Sequence, residues 1–176
     1  MNDELHQRLL AELSQLGLPW ETSQNHAANL DNRLRWLPIA NLVVVRLSLG
    51  ISSSAWWVAL GPASVTEFKP ATSCVFLLPI LEISIEEARR VLEEALQAKG
   101  LPKDFLKVFP FDRIVTTGLE GHSERWATLA LGWARALPES RELRTALEAL
   151  AADGPTQKLR HAAQKVLSQN RRTPPD

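Results

Sequence analysis

The spacing of apolar residues differs between the two halves of this chain, and that difference limits the fold more than any motif does. Between Leu30 and Ser84 the apolar residues alternate in short runs broken by glycine, proline and serine, whereas after Gly118 they recur every three or four positions. Alternation places side chains on the two faces of a strand, and the longer period places them on one side of a helix. Strands gathered in one part of a chain and helices in another favour an α+β fold over a doubly wound parallel sheet.

The same reading locates the elements. Leu5, Leu9, Leu13 and Leu16, with Leu10 beside them, predict an amphipathic first helix that Gly17 and Pro19 stop. Strands are expected over 29–37, 42–49, 55–60, 65–68 and 74–80, and Val43, Val45, Leu47 and Leu49 make the second of these the best patterned. Ser84 followed by Glu87 is a capping box, opening a helix that runs to about Lys99 before Gly100 and Pro102. The β-branched run Arg113 to Thr117 is expected as a last strand. Beyond it, three helices follow: Trp126 to Leu137, Leu143 to Ala151 after Pro138, and Leu159 to Leu167 after Asp153-Gly154-Pro155. The expected fold is α+β: a mainly antiparallel sheet of five to six strands, an N-terminal helix, one mid-chain helix and a C-terminal three-helix segment. Residues 1–118 form the sheet domain, 119–168 a helical segment packed on it, and 169–176, ending in Pro174-Pro175, a disordered tail.

Composition narrows the function classes. Twenty basic residues balance twenty acidic ones, so net charge offers no general attraction to nucleic acid or an anionic membrane. The local basic stretch Lys158, Arg160, Lys165, Arg171 and Arg172 lacks interleaved aromatics and is better read as a solvated helix face, so no nucleic-acid partner is expected. No apolar run approaches the roughly 20 residues of a spanning helix, and Asp3, Glu4 and Glu12 interrupt the N-terminus where a signal peptide would be apolar. Cys74 is the only cysteine, which excludes an internal disulfide and fits a reducing compartment, so the expected location is cytoplasmic, away from any membrane.

Two resemblances concern layout. Ser140 to Leu167, with its Asp-Gly-Pro turn and the run Leu159-Arg160-His161-Ala162-Ala163, resembles one unit of a HEAT-type helical repeat over about 28 residues, where a solenoid stacks three or more. The opening helix, Gly17-Leu18-Pro19 and the strands after it are similar in order to small bacterial secretion chaperones, which bind partner chains on a mixed α/β surface; the three-helix ending departs from them.

Few residues carry a catalytic pattern. The four histidines, His6, His26, His122 and His161, include no pair at the spacing that brings two imidazoles to one metal, so no metal site is expected. No phosphate-binding loop is present, since Gly118 and Gly121 lack the lysine and the full spacing, and no cofactor is expected. Cys74 sits in an apolar run with nothing to lower its pKa. The weak catalytic candidates are His122 as general acid or base with Asp112 or Glu120, in a small hydrolase or transferase. The competing reading is that His122 or Ser123 caps the Trp126 helix, with Glu120 and Glu124 matching its positive end.

The tryptophans carry the other expectation. There are six, with no tyrosine, and Trp56 and Trp57 are adjacent in a predicted strand, so pleating sends their rings to opposite faces. If helices cover one face only, an indole is left in water, and an exposed indole is a typical interface anchor. Trp36, Arg46, Trp56 and Trp57 are therefore the candidate partner-binding residues of a non-enzymatic adaptor, chaperone or immunity-type inhibitor. The partner is another protein, or a second copy forming a homodimer.

Overall fold

The computed structural model describes residues 3–25, 33–62, 64–121 and 123–170. Its elements are α1 (Asp3–Gln15), β1 (Glu21–Gln24), β2 (Arg33–Leu42), β3 (Leu47–Ser52), β4 (Trp57–Leu60), β5 (Val65–Glu67), α2 (Ile85–Ala98), α3 (Phe111–Glu120), α4 (Glu124–Ala134), α5 (Arg141–Asp153) and α6 (Gln157–Asn170). Short 3-10 segments lie at Val43–Val45, Val75–Glu82 and Lys103–Val108. The fold is α+β, a five-stranded antiparallel sheet with an N-terminal helix and several C-terminal helices.

The chain divides into two compact units, Met1–Pro79 with Glu86–Phe109, and Ile80–Ile85 with Pro110–Asp176. In the first, the sheet order is β1-β2-β3-β4-β5, a meander whose neighbours are all antiparallel, as short connections require. An isolated bridge pairs Asn25 with Val65, so the chain leaving β1 meets β5 and the sheet curls on itself. Curling hides edges that would otherwise stand unpaired. Leu34, Trp36, Val58 and Val65 form a buried cluster on one face. Trp57 is buried as well, its ring edge-on to Phe109 and its indole N–H donating to the Phe105 carbonyl at 2.8 Å. Helix α1 buries Leu9 and Leu13 and is tied by Arg8 to Asp104 of the Lys103–Val108 segment. Lys107, 2.9 Å from Asp104, and then Arg8 hold that carboxyl below the ordinary aspartate range, because both neighbours favour its ionised form.

The second unit is helical. α3 packs on α4 and α5, and α6 on α4 and α5. Ser123 and Ser140 cap α4 and α5, each hydroxyl accepting from a backbone amide of the first turn, Trp126 and Leu143 respectively. Trp133 is anchored by its indole N–H on the Ile83 carbonyl at 2.9 Å.

Several expectations are corrected. The strand expected over 42–49 is a hairpin: β2 runs on to Leu42, Val43–Val45 turns, and β3 starts at Leu47. Pro38, read as a break, lies inside β2 next to a register irregularity before Ala40, a place where a ladder tolerates the missing donor. The strand expected over 74–80 is 3-10 helix; Cys74, Leu77, Leu78, Ile80 and Leu81 are buried at helical spacing, and Pro79 lacks the N–H a central ladder needs. The last strand, Arg113 to Thr117, is part of α3. Its buried residues Phe111, Ile114, Val115, Gly118 and Leu119 follow the i, i+3, i+4, i+7, i+8 series, and that amphipathic face overrides the β-propensity of the valine and threonines. The polar segment Glu21–Gln24, read as patternless, is β1, an outer strand whose side chains are mostly exposed. The expected strand residues 29–32 lie outside the described residues. So do 171–176 of the expected tail, whereas Gln169 and Asn170 belong to α6.

Candidate partner-binding site

Trp57 opens β4 and Trp56 precedes it, outside the strand, and neither ring stands free. Trp57 is buried, and Trp56 is half-buried with its ring stacked on His6 of α1, centroids 4.0 Å apart. Trp36 is also buried; its indole N–H donates to Ser23 Oγ at 2.9 Å and its ring lies over Gly50. Burial takes Trp36 and Trp57 out of reach of a partner, because α1, the Lys103–Val108 segment and the curl of the sheet supply more cover than helices on one face would.

Arg46 is the exception among the four. It is exposed, in the left-handed region at φ 53°, ψ 42°, and its N–H donates to the Val43 carbonyl at 3.2 Å. That backbone bond closes the turn Val43–Val45 between β2 and β3. Val45 is buried beneath the turn, while Val43 and Val44 are 74% and 85% exposed. Their neighbour along the sheet is Leu60, 44% exposed, whose β4 position pairs with Ser48 one residue from the start of β3. Thus three aliphatic side chains and one guanidinium share the same end of the sheet. Val75 and Phe76, on the outer side of their 3-10 segment, are exposed too.

The sequence-based list missed Val43 and Val44. The available signal was the run Leu42-Val43-Val44-Val45, four apolar residues in a row where a half-buried strand alternates. Two of them had to face water unless the strand was covered on both sides.

The two carboxylates offered as alternative partners of His122 stand apart from each other. Asp112 and Glu120 lie eight residues apart on α3, which separates them by about 12 Å along the axis. His122 lies outside the described residues, and Ser123 performs the capping role beside it. Cys74 is buried, and among the described residues no cluster of three metal-ligating side chains occurs.

One buried polar group belongs to the framework of the first unit. The Glu67 carboxylate accepts from Ser52 Oγ at 2.6 Å and pairs with Lys69 at 2.8 Å. Ser52 Oγ in turn accepts from the amides of Ser54 and Trp56, so this network shapes the β3–β4 turn, where Ala55 holds φ at 62°. Every acceptor and donor in it is engaged locally, as a turn support rather than a reacting group needs. No helix among the described residues is long and apolar enough to cross a membrane. No protein-family model matches this chain, and no curated protein or solved structure matches it either.

Proposed function

We propose that the protein is a non-enzymatic binding module, of adaptor, chaperone or inhibitor type, that engages another protein through the end of its sheet at Val43, Val44, Arg46 and Leu60. The observation that carries this reading is the pair of adjacent valines held in water by a hydrogen-bonded turn. Placing two aliphatic side chains outward on a fixed backbone forgoes the burial free energy of each, about 1.5–3 kcal/mol, which a partner pocket recovers with little ordering cost. Arg46 beside them adds a donor fork for a carboxylate at the rim.

The test uses the double variant Val43→Ser, Val44→Ser. Both positions are exposed, so stability should stay within about 0.5 kcal/mol of the parent. Affinity capture from the cell that makes the protein, quantified by mass spectrometry for parent and variant, should show one or more proteins retained by the parent and lost by the variant, with the purified pair binding about tenfold or more weakly after substitution. An unchanged set of retained proteins would remove the turn as the contact. A partner that proves to be a second copy would show as concentration-dependent sedimentation abolished by the same variant.

A further inference from the structure

Separate from that turn, the first unit contains a cleft of about 250 Å³ where the end of α1 faces β2. One wall is aliphatic, from Leu10, Leu13 and Leu16; the other presents Trp20, Arg35 and the Ser53 hydroxyl. The Arg35 guanidinium lies over the Trp20 ring, 5.8 Å from its centroid. Among the described residues Arg35 meets no carboxylate and its side chain makes no hydrogen bond, unlike Arg8, Arg90, Arg125 and Arg144, each of which is ion-paired. A cation–π contact uses the face of the indole and leaves the guanidinium N–H groups available, and such a fork receives a carboxylate by two parallel hydrogen bonds.

We propose that this cleft binds a monocarboxylate carrying a short branched aliphatic or aromatic group. The charge is matched by a single cation, and the apolar part by the three leucines. The volume lies below the roughly 300–1,000 Å³ of sites for larger ligands and suits a small acid. A single guanidinium also leaves one charge of a phosphate dianion uncompensated, whereas it neutralises a carboxylate. The same chemistry is offered by a free acid and by the C-terminal residue of a peptide.

The experiment follows the Trp20 indole N–H by nitrogen–proton NMR while the full chain is titrated with 4-methylpentanoate, with 4-methylpentanamide and with N-acetyl-leucine. The acid should shift the Trp20 resonance and saturate below about 10 mM, and the amide should bind about tenfold or more weakly. Arg35→Gln should reduce acid binding to the level of the amide. Tighter binding of N-acetyl-leucine than of 4-methylpentanoate identifies a peptide C-terminus as the source, and the reverse order identifies a free acid. Equal affinity for acid and amide in the parent protein, or a Trp20 signal unmoved at about 10 mM acid, would overturn the proposal. The acid-to-amide comparison needs no substitution, so it decides the matter even if the Arg35 variant folds poorly.

Discussion

At Gly50 the backbone of β3 runs beneath the Trp36 ring. A β-carbon there would approach Trp36 Cζ3 to 2.8 Å and come closer still to Cε3 and to the Leu37 carbonyl. The indole is fixed by its hydrogen bond to Ser23, and the carbonyl belongs to the sheet ladder, so neither yields cheaply. Gly50→Ala is therefore expected to destabilise the fold by about 1–3 kcal/mol, the usual range for overpacking, measured as a lowered urea midpoint with an unchanged slope. A midpoint equal to the parent's would mean that the Trp36 ring can move. At this scale the sequence was legible in part. Gly50 is required by the close approach of a ring fourteen residues away, and no local pattern reports that. That adjacent tryptophans in a strand point apart follows from backbone geometry, but β4 begins only at Trp57. Their cover was not legible, because it comes from Phe105, Phe109 and His6, all distant in sequence.

At the scale of elements, the long amphipathic helices were readable in place though not in their exact ends, since a 3.6-residue period is a local signal. In α3 the β-branched residues favour a strand locally, and the helical burial series that starts at Phe111 overrides them. The attachment of α1 gives this scale its prediction. The Asp104 carboxyl is held low by Lys107 and Arg8, so the folded state binds its proton more weakly than the unfolded chain does. The resulting stabilisation is present above the ordinary aspartate value, near 3.9, and is lost as pH falls through the lowered folded value. The protection factors of the Leu9 and Leu13 amides, which correct exchange for its intrinsic slowing in acid, should fall below about pH 4, by a small factor because solvent screens the pair. Asp104→Asn should show the lower protection already at neutral pH and remove this part of the acid dependence. Superimposable profiles for the two proteins would show that Arg8 does not fasten the helix.

At the scale of the whole molecule, charge balance and the exposed valines act together. Twenty cations against twenty anions place the isoelectric point near 6.9, so at neutral pH there is no net repulsion to keep apolar turns of different copies apart. Light scattering should pass through a maximum near neutrality, and Val44→Lys should lower it by adding charge and removing an apolar contact. Scattering that is independent of pH, or unaffected by that substitution, would show that the turn is not self-associating.

What the chain determined by itself was the class of fold: short alternating runs make an antiparallel sheet, longer periods make helices, and both are set by the pitch of the backbone. What the tertiary structure decided was which apolar residues stay in water. Val43 and Val44 are no less apolar than Val45, and Trp56 is chemically the same as Trp57. Which of them is covered depends on where remote segments cross the sheet, and burial is a property of that arrangement rather than of any residue's own chemistry.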